Sequence, residues 1–276
     1  MKFSKMHSLG NDFMLVESIT QNITVSHSLI RRMADRRQGI GFDQFLLVET
    51  PKKDHTDFHY RIFNCDGNEV TQCVNGACCL AKFFNLKGLT NKKNLIVSTI
   101  KVKLFLLIEE NEQICVKMNE PNFTPAQISF LADTIDNKYP IVVGNETIIC
   151  SVVSMGNPHC VIPVDNIKNA PVQKVGCLLE KHSLFPEYVN ISFMEIINRQ
   201  HIRLRVFERG VGETPACGSG ACAAVTVGVK SGCLNEDVQV DLPGGSLQIG
   251  WLVREKSLFM TGPATHIYDG RISDLQ

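Results

Sequence analysis

Two cysteines hold the residues best placed to do chemistry in this chain. Cys73 and Cys217 occupy the same position in a stretch that is written twice. One copy is R-I-F-N-C-D-G-N-E-V-T-Q-C-V-N-G-A-C (Arg61 to Cys78) and the other is R-V-F-E-R-G-V-G-E-T-P-A-C-G-S-G-A-C (Arg205 to Cys222). At the offset of 144 (217 − 73), Arg61 matches Arg205, Phe63 matches Phe207, Glu69 matches Glu213 and Gly76-Ala77-Cys78 matches Gly220-Ala221-Cys222. Upstream, Ser8-Leu9-Gly10-Asn11 matches Ser154-Met155-Gly156-Asn157 at an offset of 146, which also sets Gln44 on Asn190 and Glu49 on Glu195. Polar side chains therefore come in pairs: Asn11 with Asn157, Gln44 with Asn190, Asn64 with Glu208. A period of half the chain implies a duplicated domain and not a solenoid.

The chemistry follows from where the cysteines lie. Each precedes a small-residue, apolar segment that reads as a buried helix. A helix start offers unpaired N–H groups and the positive end of the dipole, which favours a thiolate. The N–H groups of Val74-Asn75-Gly76 and Gly218-Ser219-Gly220 form a cradle for a carboxylate, and the small residues let a ligand approach the backbone. Two such halves would bracket one carbon that bears a carboxylate. One thiolate removes a proton from one face and one thiol delivers a proton to the other, with helix-start donors stabilising the carbanion. No metal or cofactor is needed for that inversion. Cys78, Cys79 and Cys222 lie inside the helices and read as structural. Cys115, Cys150, Cys160 and Cys177 stand in apolar company and read as small buried hydrophobes. Cys73, Cys78 and Cys79 lack zinc-knuckle spacing, no His pair stands at ligand spacing, and Gly210 and Gly212 complete no G-x-G-x-x-G.

The elements that would position these residues are mostly strands. Phe58, Tyr60 and Ile62 alternate, as do Ile114, Val116 and Met118, and Ile202, Leu204 and Val206. Short apolar runs at Leu95 to Val97, Ile148 to Val153 and Val238 to Val240 add more, and Pro243-Gly244-Gly245 reads as a hairpin turn. Helices are expected over Ser26 to Arg37, Val74 to Leu86 and Gly218 to Lys230, stopping at Gly39, Gly88 and Gly232. Residues 120–130, with Pro121 and Pro125, read as a crossover between the halves.

The chain has 276 residues, enough for two domains, and 44% hydrophobic residues, enough for proper cores. Lys and Arg total 28 and so do Asp and Glu, which removes the basic footprint of a nucleic-acid binder. Residues 1–20 carry neither a signal-like nor a membrane-spanning run. With 11 cysteines, an odd number, the expectation is reduced thiols in the cytoplasm and no membrane partner.

The sequence resembles the diaminopimelate epimerases over its whole length. The carriers are G-N-D-F (Gly10 to Phe13), D-G-N-E-V-T-Q-C-V-N-G-A (Asp66 to Ala77), G-N-P-H (Gly156 to His159), E-R-G-V-G-E-T-P-A-C-G-S-G-A (Glu208 to Ala221) and M-T-G-P-A (Met260 to Ala264). The resemblance implies an α/β (α+β) fold of two pseudo-symmetric domains, each a mixed or antiparallel sheet around a central helix, with the active site in the cleft between them. The domains would be residues 1–117 with the tail 263–276, and residues 118–262. It implies Cys73 and Cys217 as the acid/base pair. Substrate would be held by Asn11, Gln44, Asn64, Val74, Asn75, Asn157, Asn190, Glu208, Arg209, Gly218 and Ser219. His159 and Glu208 would tune the thiol pKa values, and Tyr268 would lie in a homodimer interface. Cofactor-independent conversion of L,L- to meso-2,6-diaminopimelate, in lysine and peptidoglycan precursor synthesis, is the implied reaction.

The chain departs from the family at Val74, usually Gly, at Cys78, usually Arg, and at Cys65, usually Ala. A β-branched Val74 would be strained if that position required a positive φ. Two rival readings stand beside the main one. One is a proline or hydroxyproline racemase or epimerase with the same twin thiols. The other is a redox or metal-binding thiol protein without isomerase activity.

Overall fold

Short runs that alternate between buried and exposed residues make most of this chain strand. The run Lys103–Ile108 buries Leu104 and Leu106 and exposes Phe105 and Leu107; Gly245–Leu252 buries Leu247, Ile249 and Trp251. Two Ala-, Gly- and Cys-rich segments are buried on nearly all sides and fold as helices, as a segment apolar all round must. The computed structural model describes residues 1–71 and 73–273. The chain forms two units, Met1–Lys117 with the stretch from Thr261 onward, and Met118–Met260.

The first half runs β1 (Lys2–Ser8), β2 (Asn11–Glu17), α1 (His27–Ala34), β3 (Gln44–Glu49), β4 (Phe58–Asn64), β5 (Glu69–Val70), α2 (Val74–Leu86), β6 (Asn94–Ser98), β7 (Lys103–Ile108) and β8 (Ile114–Met118). The second runs α3 (Pro125–Ile128), β9 (Tyr139–Val143), β10 (Glu146–Ser154), β11 (Pro158–Pro163), a 3-10 turn (Ile167–Asn169), α4 (Val172–Leu179), β12 (Asn190–Asn198), β13 (His201–Glu208), β14 (Gly212–Thr214), α5 (Gly218–Lys230), β15 (Asp237–Leu242), β16 (Gly245–Leu252) and β17 (Ser257–Gly262). β18 (Thr265–Arg271) returns to the first unit.

The first unit pairs β1 antiparallel with β18 and with β2, β2 parallel with β3, and β3 antiparallel with β4. β4 pairs antiparallel with β5 and parallel with β6, and β6, β7 and β8 form a meander. The second unit repeats the order: β10 antiparallel with β9 and β11, β11 parallel with β12, β12 antiparallel with β13, then β14 antiparallel and β15 parallel to β13, and β15 antiparallel with β16. Registers repeat as well. Phe13 lies opposite Gln44 as His159 lies opposite Asn190, and Phe63 lies opposite Glu69 as Phe207 lies opposite Glu213.

In each unit a 13-residue helix packs against the inner face of the sheet: α2 on β1, β2 and β7, α5 on β10, β11, β12 and β16. The other face is covered by a shorter helix. Ile30 and Met33 of α1 pack with Met14, Val16, Phe45 and Leu47, and Val172, Val175 and Leu179 of α4 pack with Ile191, Phe193 and Phe207. The architecture is mixed α/β, two like units each built of a sheet around a central helix.

The central helices have the bounds the sequence suggests. α1 is shorter than expected, because Asp35 leaves the helix at φ −58, ψ 123 and its carboxylate accepts from the Arg37 and Gln38 N–H groups. Within the crossover, Pro125 starts the single turn α3. Cys150 and Cys160 are buried as expected, but Cys177 is exposed on α4 and Cys115 is half-buried on β8; an apolar neighbourhood in sequence did not fix which face each would take. Val74 lies inside α2 and is not among the described residues with positive φ, so the anticipated strain does not arise. Among the described residues no helix is long and apolar enough to cross a membrane.

Candidate active site

In the first unit Cys73 is the N-cap of α2, with extended φ −146 and ψ 114, and its Sγ accepts the Gly76 N–H at 3.4 Å. The first helical bond runs from Ala77 N–H to the Cys73 carbonyl, 3.1 Å, so the N–H groups of Val74 and Asn75 precede the helical ladder. A Cβ added at Gly76 would stand 3.3 Å from Leu46 and 3.4 Å from Phe13, which is how closely the helix start lies on β2 and β3. Two positions along those strands stand Asn11 and Gln44. Leu9 (φ 52) and Gly10 (φ 87) form the two-residue hairpin loop that begins β2 at Asn11, both central residues left-handed as a type I′ turn requires. Gln44 lies opposite Asn64 and donates Nε2 to its Oδ1 at 2.9 Å; among the described residues the buried Gln44 Oε1 has no partner and is an open acceptor. Asp12 and Asp43, the neighbours of Asn11 and Gln44, exchange backbone-to-carboxylate bonds at 3.1 and 2.9 Å, and Arg36 clamps both.

The second unit builds the corresponding constellation. Cys217 is the N-cap of α5 at φ −130, ψ 105, and its Sγ lies 3.6 Å from the Ser219 hydroxyl. The first helical bond runs from Ala221 N–H to the Cys217 carbonyl, so Gly218 and Ser219 again precede the ladder. A Cβ at Gly220 would stand 3.1 Å from Val206 and 3.3 Å from the Ser192 hydroxyl, which sets the helix start within two residues of Asn190 and Glu208 along β12 and β13. Asn190 donates Nδ2 to the Pro158 carbonyl at 2.9 Å and accepts the Arg209 N–H at 3.1 Å. Arg209 donates Nη1 to the Glu187 carbonyl at 2.7 Å. Thr214 donates its hydroxyl to Glu208 at 2.5 Å. His159, fully buried on β11, pairs Nε2 with Asn157 Oδ1 at 3.1 Å. That carbonyl partner requires the Nε2–H tautomer and leaves the buried Nδ1 lone pair unpartnered.

The two thiols differ in exposure. Cys217 is 4% exposed, while Cys73 is half-buried. Burial, then the Glu208 carboxylate, push the Cys217 thiol well above the ordinary cysteine range; the Ser219 hydroxyl and Gly220 N–H pull the other way and lose. This corrects the expectation that a helix start lowers the thiol pKa: at Cys217 desolvation outweighs the dipole. Burial, with the Arg209 charge, lowers His159 to about 3, so its ring is neutral. Cys222, inside α5, is pushed up to about 12 by burial, and Cys78 and Cys79 are raised by the same cause, so all three are inert thiols.

The structure gathers Asn11, Gln44, Asn64, Cys73, Val74 and Asn75 around the start of α2. It gathers Asn157, His159, Asn190, Glu208, Arg209, Cys217, Gly218 and Ser219 around the start of α5. Tyr268 lies apart, on β18, 43% exposed and edge-on to Phe3 at 6.0 Å. The repeated Arg and Glu are structural: Arg61 clasps Glu69 at 3.0 and 2.7 Å and Arg205 clasps Glu213 at 2.7 and 2.9 Å, bracing β4 to β5 and β13 to β14. Sequence reasoning missed Thr214, Ser192 and Glu180. Thr214 stands at the 144 offset from Val70 and Ser192 at the 146 offset from Leu46, so the repeat gave no polar match to draw attention to either. Among the described residues no three His, Cys, Asp or Glu side chains converge as a metal site requires.

The fold is shared with solved structures at low identity. A hydroxyproline epimerase from Agrobacterium vitis matches with a TM-score of 0.69 at 13% identity, over 98% of this chain and 91% of that one. A predicted epimerase from Pseudomonas aeruginosa matches at 0.70 and 13%, over 99% of each. A PhzF-family phenazine biosynthesis protein from Bacillus anthracis matches at 0.68 and 16%, over 99% of this chain and 98% of that one. The sequence pattern of diaminopimelate epimerase matches residues 3–124 and 151–267, both halves of the duplication, and the chain therefore belongs to the diaminopimelate epimerase family of isomerases.

Proposed function

We propose that this protein interconverts L,L- and meso-2,6-diaminopimelate by a two-base mechanism in which Cys73 and Cys217 act on opposite faces of one α-carbon. The observation that carries the reading is a cysteine at the N-cap position of the central helix in both halves, with Arg209 standing where the first half has Cys65. The N–H groups of Val74, Asn75, Gly218 and Ser219 would hold the α-carboxylate where carbanion charge develops. Burial and Glu208 favour Cys217 as the thiol, the form that delivers a proton. His159 and Glu208 would tune the thiol pKa values. Arg209 would hold the distal carboxylate, and Asn11, Asn64, Asn157, Asn190 and the open Gln44 Oε1 would read the distal ammonium and its surroundings. No cofactor is required. The reaction supplies lysine and peptidoglycan precursors in the cytoplasm, and the active form is a homodimer with Tyr268 at its interface.

A proline or hydroxyproline epimerase would use the same twin thiols, but those substrates have no distal carboxylate for Arg209. Incubation in D₂O with L,L- and meso-diaminopimelate, L-proline and trans-4-hydroxy-L-proline separates the readings. We expect deuterium at one α-carbon of both diaminopimelate isomers and none in the prolines. Exchange confined to the prolines would assign the alternative, and exchange in none of the four, with stoichiometric bound zinc or a redox cycle, would make this a thiol protein of another kind.

A further inference from the structure

The loop that carries Arg209 is braced from outside in a way its counterpart is not. Arg209 and Gly210 lie between β13 and β14, and both of their backbone N–H groups are taken by side chains remote in sequence. Asn190 accepts from Arg209, and the carboxylate of Glu180 accepts from Gly210 through a short bond. Glu180 caps the C-terminal end of α4 and is 7% exposed. A carboxylate there opposes the helix dipole and loses hydration, so its placement works against local stability. Its backbone carbonyl also accepts from Val189, the residue before Asn190, so one residue ties the Arg209 loop to the start of β12. Gly210, at φ 75, holds the left-handed turn that presents its N–H.

The first unit supplies the comparison. Asp35 caps α1 as Glu180 caps α4, yet among the described residues its carboxylate bonds only to the backbone of its own turn, at Arg37 and Gln38. The loop after β4 is closed by its own residues, with Asn64 N–H bonded to the Asn68 carbonyl and Asn68 N–H to Asp66, and is tied outward by one backbone bond, from Cys65 N–H to the Asp43 carbonyl; among the described residues no remote side chain accepts from its backbone. That loop carries no guanidinium. The brace and the guanidinium occur together in one half and are both missing from the other.

We infer that Glu180 is a positioning residue: its carboxylate fixes the Arg209–Gly210 backbone so that the guanidinium is pre-placed for the distal end of the substrate. The inference rests on the epimerase reading above. It makes Glu180 a determinant of substrate capture and not of proton transfer, and it assigns the effect to reach and acceptor geometry, not to charge. A glutamine keeps both; an aspartate keeps the charge and loses one methylene of reach.

The test is the steady-state kinetics of Glu180→Gln, Glu180→Asp and Glu180→Ala with L,L-diaminopimelate, beside wild type and Arg209→Ala. We expect Glu180→Gln to match wild type within about twofold, and Glu180→Asp to raise KM by about tenfold with kcat within about threefold, the scale of one lost buried hydrogen bond. Glu180→Ala should behave as Glu180→Asp; if it does not fold, as judged by circular dichroism, the Gln and Asp pair decides alone. In an Arg209→Ala background the Asp substitution should have no further effect on KM. A raised KM in the Gln variant with a normal Asp variant, additive effects with Arg209→Ala, or an unchanged KM in the Asp variant would each overturn the inference. A wild-type protein that does not turn over diaminopimelate at all would instead overturn the epimerase reading, so the two failures are distinguishable.

Discussion

At the scale of single residues, the most informative contrast is between two cysteines that the sequence makes look alike. Both cap a helix, but the carboxylate of Glu208 stands near one and the matching Asn64 carries no charge. Burial and that carboxylate hold Cys217 as a thiol. Glu208→Gln keeps an acceptor for Thr214 while removing the negative charge, so the Cys217 pKa should fall and its thiolate fraction at neutral pH should rise. Iodoacetamide labelling of Cys217, followed by peptide mass mapping, should then run faster by a few-fold to about tenfold, the latter being one pKa unit. An unchanged rate would mean that burial alone sets the thiol. The pairing of Asn11 with Asn157 and of Gln44 with Asn190 was legible, because the repeat placed polar types in register. The protonation of Cys217 was not: a helix start and a buried pocket push a thiol in opposite directions, and only coordinates say which is larger. Glu180 was equally silent, since an acidic residue after an amphipathic segment reads as a solvated cap.

At the scale of elements, what positions each half-site is close approach between helix and sheet, and glycine is the means. Gly176 on α4 faces Phe207 of β13, the strand that ends in Glu208. A Cβ at Gly176 would come within 2.5 Å of the Phe207 ring, whereas a Cβ at Gly250 of β16 would meet nothing within 4 Å. Gly176→Ala should therefore destabilise the protein by about 1–3 kcal/mol through overpacking, and Gly250→Ala should change stability by no more than about 0.5 kcal/mol. Urea midpoints of the two variants check this, and equal midpoints would show that α4 shifts freely on the sheet. The central helices were readable to their ends, because mostly small and apolar residues bounded by a cysteine before them and a Gly after them leave little choice. α1 was overestimated by its last turn, where an Asp that bonds its own following N–H groups competes with the helix. Cys177 was misread because α4 buries only one stripe and this residue lies off it.

At the scale of the whole molecule, the duplication explains why so much was legible and where legibility stopped. A chain that repeats strand order, register and helix caps states its architecture twice, so a weak signal in one half is reinforced by the other. What the repeat hides is divergence: Cys65 against Arg209, Val70 against Thr214 and Leu46 against Ser192 are positions at which two like frameworks carry unlike side chains. The tail returns to the first unit as β18, whose described register is with β1, and both of its faces are largely exposed. Ile267 and Tyr268 are 51% and 43% exposed there, at the point where the register with β1 shifts by a bulge. Exposed apolar side chains on such a strand invite cover, which fits the homodimer interface that the family resemblance implies at Tyr268. Sedimentation velocity at micromolar concentration should give twice the 30.7 kDa chain mass for the wild type. Tyr268→Asp places a charge that must be desolvated in the contact, and should shift the boundary to the single-chain mass with the fold retained by circular dichroism. A wild type that sediments as one chain, or a dimer untouched by Tyr268→Asp, would move the interface elsewhere or remove it.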